Sequence, residues 1–326
     1  MFSYRVFLKQ AWNIAWRHKY LWFFGLFASL TIAGGSMEYQ VISQNLQQNL
    51  IDGTYNYLAG LLALSELLKS LWLGLIALGH QNILVIINAL SLILITATIL
   101  AVFIWLAVCS QGALVNDVKK IVSAKKKAEK LSIREGLTAG HQRFWPLLGL
   151  NVLAKIMINA TFFIVSLPLL FMVLQDSTIL VIVYTLLFVI FIPLAVSISL
   201  MFKYAITANV VEKKTLVASL EQGWNLFKKN WLVSVEMAII LFLITFFAGL
   251  GALIFISLII FPLFLVGAFY KIIWLVALTV FLALIIIVLV GSLLTSFQTA
   301  TWTGLYLSLK DKRGVAKLER IFRRRK

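Results

Sequence analysis

The chain has 326 residues, of which 62% are hydrophobic and 13% charged, and a formal net charge of +17. Soluble domains carry about 25% charged residues, so this composition excludes an ordinary soluble domain and indicates an integral membrane protein. Nucleic acid does not explain the charge: of the 29 Lys and Arg, all but Lys69, Lys155 and Lys271 fall in segments that one topology puts on a single side, which the positive-inside rule makes cytoplasmic.

Residues 3–19 read as a helix lying on the membrane surface. Arg5, Lys9, Asn13 and Arg17 form a polar stripe at spacing four, with Leu8, Ala11, Trp12 and Ala15 on the other face. Tyr20 to about Met37 is the first predicted span, ending at Gly34–Gly35. A basic flank before an apolar run also describes a secretion signal. Here the cations are spaced along a helix and no small-x-small cleavage site follows, so an uncleaved span is expected. Residues 38–57 are rich in Gln and Asn and carry no Lys or Arg, which suits an external loop. Residues 58–79 are apolar but interrupted by Glu66 and Lys69, which are three apart and able to pair on one helix face. An interfacial or re-entrant helix is expected there, because one more crossing would reverse all downstream topology.

Ile83 to about Val115 is the second predicted span, continuing as helix toward Lys120. The basic connector KKIVSAKKKAEK (119–130) follows, then a second surface helix. Ser132 and Glu135 have the spacing of a capping box, and Ile133, Leu137, Gly140 and Phe144 form the predicted apolar face. Trp145–Pro146 marks the start of the third span, which runs to about Leu167, where Pro168 is expected to break it. Asp176 and Ser177 form an external turn. Ile179–Val211 is the fourth span, with a kink expected at Pro193. The third surface helix, Thr215 to Asn230, has two faces. Leu216, Leu220, Trp224, Phe227 and Trp231 recur on one side; Ser219, Glu221, Gln222, Asn225, Lys228 and Lys229 fall mostly on the other. The fifth span starts at Trp231 and is expected to be interrupted at Gly249–Gly251 and at Pro262. Lys271 lies in an external turn, Ile272 to about Leu309 is the sixth span, and the basic tail 310–326 is cytoplasmic.

The expected fold is an all-α integral membrane protein with about six transmembrane helices. They form three pseudo-repeats (1–120 with an external insertion at 38–80, 121–212 and 213–309), each an amphipathic interfacial helix followed by a helical hairpin. SLPLLF (166–171) answers IFPLFL (260–265), and the three returning helices end in QGALVND (111–117), YAITANV (204–210) and QTATWTG (298–304).

The surface helices share a pattern in which an Ala-Trp or Gly-Trp pair and basic residues precede a Trp and a span: AWRHKYLWFFG (15–25), AGHQRFWPLLG (139–149) and QGWNLFKKNWLV (222–233). This resembles the membrane domain found beside glycerophosphodiester phosphodiesterases, and the related stand-alone multi-span proteins of bacteria. The likeness covers most of the chain, and it implies a fold more than a function. No stretch carries the paired carboxylates and histidines that the phosphodiesterase domain would need.

Four intramembrane polar residues are candidate site residues. Lys155 lies about ten residues into the third span and Glu236 about five into the fifth, depths at which ionisable groups normally face a bundle interior or a partner. The two either approach each other or snorkel separately toward the cytoplasmic surface. Asn151, Lys155 and Asn159 share a face at spacing four and either line a polar path or hydrogen-bond between helices. Asn116, Asn209 and Thr303 occupy matching places near the inner helix ends, where capping or cross-linking is expected. Candidate contacts to anionic lipid headgroups are Arg17, Lys19, Lys125, Lys126, Lys127, Arg143, Lys228 and Lys229, with Trp145 and Trp231 as interfacial anchors. His18, His80 and His141 are scattered, and no Walker-type loop, HExxH or GxSxG is present, so neither a metal centre nor a catalytic site is indicated and no cofactor is expected. The single cysteine, Cys109, allows no intrachain disulfide.

The expected protein is a non-enzymatic accessory or scaffold of the bacterial cytoplasmic membrane, both termini inside, holding anionic lipid through its basic surface helices and binding no nucleic acid. The alternatives are a transporter or channel for a lipid or small solute, and a membrane partner of a separate phosphodiesterase.

Overall fold

The structure, a computed structural model, describes residues 4–29, 31, 69, 83–123, 132–174 and 178–310. All the secondary structure among them is helical: α1 (Tyr4–Arg17), α2 (Tyr20–Ala28), α3 (Ile83–Ser123), α4 (Ile133–His141), α5 (Phe144–Leu174), α6 (Thr178–Glu212), α7 (Leu216–Lys229), α8 (Trp231–Phe255), a π-helical turn (Ile256–Ile260), α9 (Phe261–Phe269) and α10 (Ile273–Lys310). Five stretches among the described residues are long and apolar enough to cross a bilayer: 87–123, 144–161, 185–212, 231–269 and 273–310. The protein is therefore an all-α membrane protein. A lipid-spanning chain must satisfy its backbone internally, which a helix does residue by residue. Of the expected first span, residues 20–29 and 31 are described, the first nine of them as α2. The insertion at 38–80 (Lys69 apart), Asp176–Ser177, Lys125–Lys127 and the tail beyond 310 lie outside the described residues.

Several expected interruptions do not occur. α5 continues through Pro168 to Leu174, and α8 runs unbroken through Gly249 and Gly251. An apolar helix in lipid offers a glycine's backbone no competing hydrogen-bond partner, so its flexibility is not expressed. Pro262 acts differently. Its missing N–H is accommodated by the π-helical turn before it, and Pro262 itself occupies the first turn of α9. At the second surface helix the expected cap is present: Ser132 is extended (φ −104°, ψ 151°) and its hydroxyl accepts from the Glu135 N–H at 3.3 Å.

The chain divides into two compact units: 1–36 with 106–154 and 200–326, and 37–105 with 155–199. In the second unit the described side chains of α3 are almost all exposed from Leu84 to Trp105. Thr96 and Thr98 fold their hydroxyls onto carbonyls one turn back, at 2.8 and 2.7 Å, which removes an unpaired donor from the apolar surface. Phe191 and Ala195 are buried there against Leu187, Phe188 and Ile192.

The first unit holds the packed interior. Its helix crossings are made by small residues. A Cβ on Gly140 of α4 would fall onto the Cys109 carbonyl of α3, with the carbonyl carbon at 2.8 Å. On Gly223 of α7 it would meet the Met201 carbonyl oxygen at 2.7 Å and the Ala205 nitrogen at 2.8 Å, both on α6. On Gly25 of α2 it would overlap the Ser292 carbonyl of α10, and beside it the Ser296 hydroxyl donates to the Leu21 carbonyl at 2.9 Å. Ala11 and Ala15 of α1 are likewise buried, and Trp12 meets Phe297 of α10 edge-on at 5.8 Å. Each short helix thus sits on the C-terminal half of a long one: α4 on α3, α7 on α6, and α1–α2 on α10. Lipid gives no hydrophobic drive to bring helices together, so close backbone approach through Gly, Ala and Ser is how they gain contact.

The packed side of the short helices coincides only in part with the expected one: Ala11, Ala15, Gly140 and Phe227 lie on the expected faces and are buried. In α7 the buried line is Ser219, Gly223 and Phe227; Trp224 is half exposed and Trp231, the first residue of α8, is 56% exposed. In α4 it is Gly136 and Gly140, while Ile133 is exposed. Trp224, Trp231 and Ile133 face outward while small residues occupy the closest crossings, because a bulky residue there would hold the backbones apart.

Candidate functional site

The C-terminal halves of α3, α6 and α10 converge on a cavity of about 20 Å³ lined by Gln111, Lys203, Thr207, Thr299, Trp302 and Thr303, with Val115 and Ile206 closing it. Each helix contributes a pair at spacing four: 111 and 115, 203 and 207, 299 and 303. That repeat keeps both members on the face turned to the cavity. The volume accommodates about one water-sized body.

The walls are polar and buried. Gln111 is 2% exposed, Thr207 3%, Thr303 0% and Lys203 7%. Asn151 of α5 donates its amide to the Gln111 Oε1 at 2.7 Å and to the Leu147 carbonyl at 2.8 Å. This fixes the Gln111 amide with its oxygen toward α5 and its Nε2 free; that nitrogen and the Thr303 Oγ1 have no hydrogen-bond partner among the described residues. The Lys203 ammonium lies 5.0 Å from the centre of the Trp302 ring, where the ring's negative face offsets part of its desolvation. Trp302 is in turn wedged edge-on against Tyr204 at 5.9 Å. None of the lining residues is acidic.

A second polar cluster closes the C-terminal ends of α6 and α10. Glu212 ends α6, and its Oε1 accepts from Gln222 of α7 at 2.6 Å, from Lys310 of α10 at 3.1 Å, and from the Tyr306 hydroxyl. Lys214 lies 3.4 Å from Oε2 and also donates to the side-chain Oε1 of Gln222. The turn that brings Lys214 back passes through Lys213 at φ 56°. Asn209 clamps the same turn, donating to the Lys214 carbonyl at 2.8 Å and to the Ser219 hydroxyl at 3.3 Å. Lys119 of α3 reaches the Val211 carbonyl at 2.7 Å. Lys213 is exposed and left-handed, a conformation that glycine adopts without strain. Lys213→Gly is accordingly expected to raise the stability by about 0.5 kcal/mol, seen as a small rise in apparent melting temperature.

The sequence-derived candidates fare unevenly. Asn151 is buried in the helix-to-helix bond just described, whereas Lys155 and Asn159 are exposed, so the three do not form one lining. Glu236 is half-buried and accepts a hydrogen bond from the Tyr4 hydroxyl of α1; Lys155 belongs to the other compact unit. Of the headgroup candidates, Arg17, Lys19, Lys228 and Lys229 are exposed, with Trp145 and Trp231. Arg143 is half-buried and reaches the Lys214 carbonyl at 3.5 Å, so it links α4 to the α6–α7 turn. Asn209 cross-links as expected for its place, while Asn116 bonds only its neighbour Asp117, at 3.3 Å. His18 is half-buried; burial first, then the Arg17 guanidinium, lowers its pKa, so it is neutral at pH 7. Among the described residues no group of His, Cys, Asp or Glu is placed to hold a metal ion.

The residues that sequence reasoning missed are Gln111, Lys203, Glu212 and Tyr306. A signal existed for Lys203: a lone cation between Phe202 and Tyr204, nine residues before the helix ends, is too deep to serve as a flank. No family model, curated protein or solved structure matches the chain.

Proposed function

We propose that the protein is a non-enzymatic scaffold of the bacterial cytoplasmic membrane, with both termini inside, that holds anionic lipid headgroups at the inner leaflet. One observation carries the reading. At two of the three junctions from a short helix to the apolar helix after it, cations and tryptophans stand exposed together, Trp16, Arg17 and Lys19 before α2 and Lys228, Lys229 and Trp231 at α8; at the third, Trp145 is exposed beside the half-buried Arg143. Trp22 adds rigidity to the first of these corners by donating its indole N–H to the Ala15 carbonyl at 2.7 Å. Aromatic rings favour the headgroup level, and cations next to it attract anionic lipid by about 1 kcal/mol each. In this reading the three short helices are interfacial feet and the chain is a threefold pseudo-repeat, each foot seated on a returning helix.

The test compares the protein in nanodiscs of pure phosphatidylcholine with nanodiscs containing phosphatidylglycerol. The apparent melting temperature is expected to be higher with the anionic lipid. Arg17→Gln, Lys19→Gln, Lys228→Gln and Lys229→Gln combined are expected to remove most of that gain while leaving the phosphatidylcholine value unchanged. An equal gain in wild type and variant sinks the proposal.

A further inference from the structure

We infer that the cavity between the C-terminal halves of α3, α6 and α10 is a binding site for one ordered water molecule that ties the three helices together. Each helix supplies one buried polar side chain. Gln111, Thr207 and Thr303 follow one another at intervals of 96 residues, and all three line the cavity. Among the described residues no hydrogen bond joins any two of them, and what each has left to offer differs. The Asn151 amide donates both to the Leu147 carbonyl, which can only accept, and to the Gln111 Oε1. That settles the orientation of Gln111: its unpartnered group is Nε2, which only donates. Thr207 has given its proton to the Lys203 carbonyl at 2.8 Å, so its oxygen keeps only lone pairs. Thr303 departs from the other buried threonines. Thr31, Thr207, Thr279, Thr295 and Thr301 each turn the hydroxyl back onto a carbonyl three or four residues earlier. The Thr303 Oγ1 makes no such bond and has no partner among the described residues, so it can donate or accept.

That set selects the ligand. An anion only accepts and cannot serve the Thr207 oxygen; a cation cannot accept from Gln111. Water does both. It accepts from the Gln111 Nε2, donates to the Thr207 Oγ1, and either donates to or accepts from Thr303. Three partners is the usual number for a buried water, and a cavity of about 20 Å³ holds about one. Lys203 forms a wall of the cavity, has partners of its own and lies 5.0 Å from the centre of the Trp302 ring, so its charge plays no part in the choice. The gain is twofold. Two buried groups that are costly to leave unpaired become paired. Three helices that lipid does not press together also receive a polar link that fixes their mutual rotation. The site is independent of the headgroup contacts proposed for the short helices.

The experiment has two readouts on the full chain in neutral detergent. The first is apparent melting temperature. The near-isosteric Thr303→Val is expected to lower it by about 2–4 °C in the wild-type background. In the Gln111→Met background, where the bridge is already cut, the same substitution is expected to cost close to nothing, although the two side chains share no direct bond. The second is X-ray radiolytic labelling, in which a bound water becomes a hydroxyl radical and oxidises the side chain beside it. Trp302 lines the cavity and is only 5% exposed. It is expected to be oxidised in wild type faster than that exposure explains, and to lose most of that oxidation in Thr303→Val, while the exposed Trp231 is oxidised equally in both. Equal costs of Thr303→Val in the two backgrounds, or Trp302 oxidation that Thr303→Val leaves unchanged, overturn the inference. The labelling comparison needs only Thr303→Val, so it decides the question even if Gln111→Met, which also strips Asn151 of an acceptor, folds poorly.

Discussion

Gly140→Val is expected to lower the apparent melting temperature by about 6–12 °C, corresponding to about 3 kcal/mol of overpacking. The reason is geometric. The added Cβ would overlap the Cys109 carbonyl, with the carbonyl carbon and Cα at 2.8 and 3.0 Å, and these are backbone atoms that cannot rotate away. α4 must then lift off α3. That movement also loosens Gly112, where an added Cβ would meet Gly140 at 3.0 Å, and Gly136, which lies against Phe24. Gly249→Ala and Gly291→Ala are the controls, since nothing lies within 4 Å of a Cβ at either place. Both should hold or slightly raise the melting temperature, alanine being the better helix former by about 1 kcal/mol. Equal effects at Gly140 and Gly249 would show that glycine content, and not close crossing, is what matters. Thermal unfolding followed by retention of the monodisperse peak on size exclusion reads all three.

Glu212→Ala is the second large effect, about 2–3 kcal/mol. The carboxylate is shared by three helices: its own, α7 through Gln222, and α10 through Tyr306 and Lys310. Removing it leaves the Tyr306 hydroxyl without its acceptor, and the Gln222 amide with only the Tyr306 hydroxyl oxygen to donate to, in a region only 14% exposed at the Glu212 side chain. Lys310 and Lys214 are half and more than one-third exposed, so solvent replaces what they lose, and most of the penalty falls on the two neutral donors. Glu212→Gln should therefore recover part of the loss, because it restores an acceptor without the charge. A double-mutant cycle with Tyr306→Phe checks the mechanism: a coupling of about 1 kcal/mol or more is expected, and strictly additive losses would refute a shared network.

How much was legible beforehand depends on which physical signal each feature leaves in the chain. Long apolar runs bounded by polar residues are a strong signal, and α3, α6, α8 and α10 fall close to the expected limits. The Ser132 cap was legible because capping is local. Pro168 misled: a proline near the far end of an apolar run is tolerated by a helix with no better alternative, and nothing in a window around it reveals that. The short helices were located correctly, and their packed sides in part: Ala11, Ala15, Gly140 and Phe227 pack as expected, but Gly136, Ser219 and Gly223 do not stand out, because periodicity finds the large apolar residues while close membrane crossings select small ones. Gln111 and Lys203 are 92 positions apart and meet only through the convergence of two helices, which no local pattern encodes. The resemblance to phosphodiesterase-associated membrane domains remains a likeness of three tryptophan-bearing motifs.

The seat of α1 and α2 on α10 carries a consequence for how the molecule is made. The Ser296-to-Leu21 bond joins residues 275 apart in the chain. At roughly 5–20 residues per second, the opening helices wait on the order of 15–60 s for their partner to be synthesised. During that interval Gly25 and Ala11 face lipid, or whatever insertion factor shelters them, with nothing to fill the groove they form. A ribosome stalled before residue 290 would therefore leave an inserted but unlocked intermediate, open to proteolysis at its first helices.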